Sequence, residues 1–327
     1  AEGRLALEQV MRGIDSPAFL CLSPDGRVLY AASEVPERAE GLVGSYAVSP
    51  ADGTLRQLGR QGFAGAWASY LAMDPGGRAL LLSDYGAGRV AMLPARADGS
   101  LGEVSSAHQH RGSGPNAQRQ DGPHAHCIVT SPDDAYAFAA DLGADRIFGY
   151  RVDYERGELS LHGELALASG SGPRHLVFAP GGRHAYLLCE LDATVVALEY
   201  DAQSGTLTPL EAHPLLPDDF SGENLSADIH IHPSGRFLYA SNRGHDSIAM
   251  FAINPVDGQL QPLGHRSSEG ATPRNFALAP DGRYLLVGNQ DSDTIVTMAI
   301  DAKTGLLGPT AAVAEAPTPA CLVLGPA

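Results

Sequence analysis

HPSGRFLYASN, residues 232–242, reads as a tight turn that leads at once into a buried strand. Pro233 followed by Ser234-Gly235 is turn chemistry, and Phe237, Leu238, Tyr239 and Ala240 form an apolar run of strand length. The same phrase recurs as SPDGRVLYAAS (23–33), DPGGRALLLSD (74–84), SPDDAYAFAAD (131–141), APGGRHAYLLCE (179–190) and APDGRYLLVGN (279–289). Its prolines are Pro24, Pro75, Pro132, Pro180, Pro233 and Pro280, spaced by 51, 57, 48, 53 and 47 residues. One unit of about fifty residues therefore repeats along the chain.

Outward from each turn the pattern is again β. A short apolar strand precedes the turn, as in HLVFA (175–179) and NFALA (275–279). A third strand follows, as in TVVALEY (194–200) and SIAMFAI (247–253). Then come a turn at Ser204-Gly205 or Asp257-Gly258 and a polar fourth strand such as GQLQPLG (258–264). Four antiparallel strands per repeat predict a propeller blade, and no helical periodicity competes. The expected fold is an all-β, seven-bladed β-propeller of four-stranded antiparallel blades, a single domain over residues 1–327. Six blades are explicit. TPACLVLG near the C-terminus reads as the first strand of another blade, and LALEQVMRG near the N-terminus as its last. This closing blade is expected to be shared by the termini; its two middle strands are not found here, so either a segment of roughly twenty residues precedes this sequence, the preferred expectation, or the blade is incomplete at the N-terminal side.

Composition narrows the function. The 38 Gly and 23 Pro fit many short connections. A net charge of −16 repels phosphate backbones and argues against nucleic acid as a partner. No apolar run of spanning length and no signal peptide are visible, so the expected location is cytoplasmic, a removed export signal aside. Lys303 is the lone lysine against 21 arginines, and an arginine fork suits carboxylate or phosphate. Cys21, Cys127, Cys189 and Cys321 form no CxxC pair, so reduced core packing is expected, with a link between Cys21 and Cys321 left open.

The repeats disagree where a ligand is expected. Six residues before each turn proline stand Ala18, Ser69, His126, Arg174, Ala227 and Arg274. Ten residues after it stand Glu34, Tyr85, Leu142, Glu190, Arg243 and Gln290. Charged and polar types gather at a shared register while flanking positions stay apolar, which predicts that His126, Arg174, Glu190, Arg243, Arg274 and Gln290 face one end of a central channel. Arginines supply anion binding, and a His and a Glu supply general acid–base groups. With no GxSxG elbow, water attacking an activated ester is the chemistry that fits. The bland alternative is that Glu and Arg only pair to hold neighbouring blades together. His108, His110, His124 and His126 lie in one stretch and His230 and His232 in another, but no carboxylate sits at a metal spacing, and His232 is expected at the surface. No metal and no cofactor are expected. The insertion that lengthens the second interval, running from His108 to Cys127, is a loop that delivers His126.

The segments GSGPNAQRQDGPHAHC (112–127), DLGADRIFGY (141–150), 172–195, 221–248 and TPRNFALAPDGRYLLVGNQDSDTI (272–295) resemble the bacterial lactonase family of seven-bladed propellers. Its members include the 6-phosphogluconolactonases, and fungal muconate-lactonising enzymes are related. The resemblance implies hydrolysis of a sugar 1,5-lactone, typically 6-phosphogluconolactone, in the pentose-phosphate pathway, without a metal. It also implies catalytic roles for His126, Arg174, Glu190 and Arg243. His124, one alternation away, is a rival for His126, and His124 with the register residues Arg274 and Gln290 is expected to bind substrate. The partner is then a small anionic sugar lactone, with the chain a monomer or homodimer. A muconate-type cycloisomerase and a non-catalytic binding propeller are the alternatives.

Overall fold

The computed structural model of the chain describes residues 3–35, 40–65 and 67–325. Among these residues lie six four-stranded sheets, each built from consecutive strands in chain order. The first holds β1 (Pro17–Leu22), β2 (Val28–Ser33), β3 (Glu40–Val48) and β4 (Leu55–Ala64). The second holds β5 (Ala68–Met73), β6 (Ala79–Asp84), β7 (Arg89–Pro94) and β8 (Ser106–Gln109). The third holds β9 (Ala125–Thr130), β10 (Tyr136–Asp141), β11 (Arg146–Asp153) and β12 (Glu158–Ala166). Then come β13 (Pro173–Phe178), β14 (His184–Cys189), β15 (Thr194–Asp201) and β16 (Thr206–Pro214). The fifth sheet is β17 (Leu225–Ile231), β18 (Phe237–Arg243), β19 (Ser247–Ile253) and β20 (Leu260–Ser267). The sixth is β21 (Pro273–Leu278), β22 (Tyr284–Asn289), β23 (Thr294–Ile300) and β24 (Leu307–Glu315), with a short 3-10 turn at Gln290–Ser292.

The residues fall into two compact units of three sheets each. One is Leu7–Pro173; the other is Arg174–Gly325 together with residues 3–6. Within each unit an apolar layer separates successive sheets. In the first unit Leu80, Leu82 and Leu93 pack against Tyr30 and Val43, and Leu81 and Met92 against Ile128 and Phe148. In the second, Tyr186 and Leu188 meet Ile229 and Leu238, and Tyr239 and Ile248 meet Phe276 and Val287. The second strand of a sheet lies inside both layers, which is why β6, β10 and β14 are buried at every position. Apolar runs without alternation are the sequence mark of such strands.

The repeated turn has one geometry. Gly26 N donates to Ser23 O at 2.8 Å, and Gly77, Gly182, Gly235 and Gly282 make the equivalent bond. In SPDDAY, Asp134 takes the glycine's place at φ 59°, a left-handed position that Asp tolerates better than most residues. A tyrosine six residues beyond the proline then locks one sheet to the next. Tyr186 Oη donates to Gly258 O and Tyr239 Oη to Gly305 O, both at 2.8 Å, and Tyr30 Oη donates to Gly99 O at 3.1 Å.

Two expectations change. Residues 4–12 and 318–325 form no strand. The Gln9 side chain instead bonds Leu55 N and O, and Leu322 N donates to Asn275 Oδ1. A strand needs a ladder partner along its length, and the bonds of Gln9, Thr318 and Leu322 are scattered ones that involve side chains. His232 is also not at the surface: it is buried, with Nε2 on Gly282 O at 2.9 Å and Nδ1 on Ser234. The turn of the sixth sheet covers it. All four cysteines carry free thiols.

Candidate active site

In five of the six sheets the register six before the turn proline is a β-bulge. Pro17 pairs with Ser33 and Phe19 with Ala32, so Ala18 is the extra residue. Ser69, His126 and Arg274 are extra in the same way between Ala68 and Tyr70, Ala125 and Cys127, and Pro273 and Asn275. In the fifth sheet, Ala227 and Asp228 together face only Ser241. A bulge leaves its residue out of the ladder and re-aims the side chain, so the variable register is where the fold sets side chains apart from sheet pairing.

In the Arg174–Gly325 unit this register builds a charged cluster. Arg174, on β13, is 3 % exposed, and Glu190, just past β14, is 1 % exposed. Arg174 Nε donates to Glu190 Oε2 at 2.8 Å, and Arg243 Nη2 meets the same oxygen at 2.9 Å. Arg174 Nη1 donates to Ala227 O, the carbonyl turned out by the bulge. Arg243, the last residue of β18, also donates Nε to Leu225 O at 3.1 Å. Gly244 pins the chain behind it: its φ is 112°, and a Cβ there would lie 2.2 Å from Glu223 O. Arg274 is half-buried, and its charge is felt at Arg174. Burial, then the charges of Arg243 and Arg274, push Arg174 below the usual guanidinium range against the pull of Glu190, to about 9, so it stays charged at neutral pH. Three guanidinium groups around two buried carboxylates, Glu190 and Asp228, leave an excess of positive charge suited to an anion.

Asp228 joins this cluster from the bulge. Its carboxylate accepts from His175 Nδ1 and His230 Nε2, both at 2.9 Å, from Asn275 Nδ2 at 2.5 Å and from the amides of Ile229 and Phe276. Burial would raise its pKa, but the His230 charge and the two imidazole bonds hold it well below the carboxylate range. His175 lies 3.0 Å through Nε2 from Arg174 Nη1, and burial plus the Arg174 charge depress its pKa to about 4. His230 goes the other way, raised by Asp228 against burial.

In the Leu7–Pro173 unit the same registers hold aromatic groups. His124 stacks on Tyr85 with ring centroids 4.4 Å apart, and His126 meets the Tyr85 edge at 5.4 Å. Tyr85 also packs on Trp67, whose indole N–H donates to Glu34. His124 Nδ1 donates to Tyr85 O at 2.9 Å, its ring being less buried than that of His126. The insertion is ordered by Gln120, which donates to Leu142 O and to Asp145 Oδ1.

Of the expected residues, Arg174, Glu190 and Arg243 come together through direct bonds, with Arg274 near. Gln290 sits in the 3-10 turn with its amide on Thr272 O. His124 and His126 share Tyr85 in the other unit. Sequence reasoning missed His175 and Asp228, although a polar residue inside an apolar strand (RHLVF, SADIHI) already demands a buried partner. His230 and His232 turn to different partners, Asp228 and Gly282. Among the described residues no group of three His, Cys, Asp or Glu is arranged to hold a metal ion.

Comparison with known proteins places this geometry. The profile of a family described as Lactonase, 7-bladed beta-propeller matches residues 1–324. A 6-phosphogluconolactonase of Bacillus subtilis is 34% identical over 263 residues, covering 80% of this chain and 74% of the relative. Another, from Formosa agariphila, is 34% identical over 83% of this chain and 78% of its own. The solved structure of a periplasmic gluconolactonase from Pseudomonas aeruginosa matches with a TM-score of 0.86 and 36% identity, over 92% of this chain and 86% of that one.

Proposed function

The chain belongs to the lactonase family of seven-bladed β-propellers, and on that premise we propose that it hydrolyses a sugar 1,5-lactone, with 6-phosphogluconolactone as its substrate. The observation that carries the reading is the convergence of Arg174 and Arg243 on one oxygen of Glu190, at 2.8 and 2.9 Å. Arg174 and Arg243 hold the phosphate or the oxyanion that develops when water adds to the carbonyl carbon, and Arg274 adds charge. Glu190 Oε2 is already engaged by both guanidinium groups, so its proposed work is to orient them. His126 is the proposed proton-transfer residue, on the strength of its shared bulge register and its family motif; it takes a proton from water and returns it to the ring oxygen. His124 and Gln290 remain substrate-binding proposals. A closing seventh blade is part of the same proposal. Thr318 N donates to Asp293 Oδ1 at 2.7 Å just as Thr272 N, which leads into β21, donates to Asp246 Oδ1 at 2.9 Å.

A second reading has a specific support. A periplasmic gluconolactonase is among the similar structures, so a lactone without phosphate is the competing substrate. Arg243→Met is the discriminating variant, because it leaves Glu190 paired with Arg174. Losing one oxyanion donor should lower kcat/KM about 100-fold on either lactone, with the thermal midpoint nearly unchanged. A loss confined to the phosphorylated lactone would assign Arg243 to the phosphate instead. Unchanged hydrolysis of both by folded protein would remove Arg243 from the site.

A further inference from the structure

Arg174 is held by more than Glu190. Its Nη1 lies 3.0 Å from His175 Nε2 and 3.4 Å from Nδ1 of the same ring, so the guanidinium rests against the imidazole face. The Asp228 carboxylate can only accept, so His175 Nδ1 carries the proton it gives to Asp228 Oδ1 at 2.9 Å. Both His175 and Asp228 are at most 3 % exposed, so water cannot substitute for either contact. Asp228 stands in the bulge of β17, where its amide is capped by Ser241 Oγ at 3.0 Å and its other oxygen is fixed by His230 and Asn275. A carboxylate anchored from three strands thereby fixes the tautomer and orientation of the imidazole that lies against the anion-holding arginine.

We propose that Asp228 is a positioning residue of this site: it holds His175 as the Nδ1–H tautomer, with the face of the ring laid against the Arg174 guanidinium, and so keeps that group in place. This rests on the reading of Arg174 as an anion-holding group. The neutral imidazole also orients Arg174 without cancelling its charge, which a second carboxylate at the same place would do. Second partners of this kind carry about 10- to 100-fold of function when removed, as they do for metal ligands.

The test uses the full chain with four variants and two readouts, only one of which needs lactonase activity. His175→Gln can still donate to Asp228 and lay a planar amide against Arg174; His175→Leu fills the space and does neither. Asp228→Asn and Asp228→Glu probe the anchor. In nitrogen-15 spectra of the imidazoles, wild-type His175 should be the Nδ1–H tautomer, and Asp228→Asn should shift it toward Nε2–H. Affinity for inorganic phosphate, measured by calorimetry, should weaken about tenfold in His175→Leu and Asp228→Asn but less than threefold in His175→Gln and Asp228→Glu. The kcat/KM for lactone should follow the same order. Equal phosphate affinity in wild type and folded His175→Leu, or an unchanged tautomer in Asp228→Asn, overturns the proposal. If wild type binds phosphate in this order yet opens no lactone, the positioning role stands and the lactonase reading falls.

Discussion

At the scale of single residues, the cluster around Arg174 makes a prediction that needs no substrate. Burial and the Arg174 charge lower the His175 pKa from 6.5 to about 4. A histidine with a depressed native pKa binds a proton in the unfolded chain before it does so in the folded one. Its neutral, bonded form therefore stabilises above about pH 6.5, and that stability is lost as pH falls toward 4. Between pH 7 and pH 5 the wild type should lose about 2 kcal/mol more stability than His175→Leu, read from denaturant unfolding at each pH. Parallel pH dependences would mean that His175 takes up its proton as readily folded as unfolded. His230, with its raised pKa, works in the opposite sense, its contribution fading as pH rises, and it is common to both proteins. The residues at the two variable registers were legible from the repeat alone, because six copies of one turn make a ruler. His175 and Asp228 were not. They sit one place off that ruler, inside strands whose apolar neighbours mask them, and only the bulge shows that they face each other.

At the scale of elements, the turn phrase was readable to the residue, whereas the locks between sheets were not. Tyr30, Tyr186 and Tyr239 look like plain core aromatics in the sequence, yet each hydroxyl satisfies a glycine carbonyl of the following sheet. Tyr239→Phe keeps the ring and strands the Gly305 carbonyl in a buried place. It should cost about 1–3 kcal/mol, measurable as a fall in the denaturant midpoint with unchanged slope. A midpoint equal to wild type would show the hydroxyl bond to be idle. A second device escaped the sequence because its residue type varies. Thirteen places after the turn proline, Gly88, Asp145, Ala193, Asp246 and Asp293 all adopt positive φ, between 50° and 59°. Where that residue is Asp, its carboxylate accepts amides from the segment leading onward: Gly170 and Gly172 for Asp145, Thr272 for Asp246, and Thr318 for Asp293. Backbone conformation is conserved among these repeats more strictly than identity, so composition could not reveal it.

At the scale of the whole molecule, the fifty-residue period gave the blade and its strand order, and the six sheets follow it without exception. What the period could not give is the state of the terminal segments, since a lone strand-like stretch has no partner written beside it. In the structure, residues 318–325 follow the same Asp-anchored lead-in that opens β21, but no ladder forms there. Net charge of −16 over the chain contrasts with the local surplus of guanidinium groups around Glu190. A cluster of guanidinium groups within an acidic chain favours small anions over polyanions. The central claim, a lactone hydrolase built on that cluster, is met most directly by acid release in a pH-stat, with spontaneous ring opening subtracted. The account predicts a rate proportional to protein concentration, with kcat/KM at least tenfold higher for 6-phosphogluconolactone than for gluconolactone, the equivalent of about 1.4 kcal/mol from the phosphate. Rates for both lactones that do not change with protein concentration would contradict it.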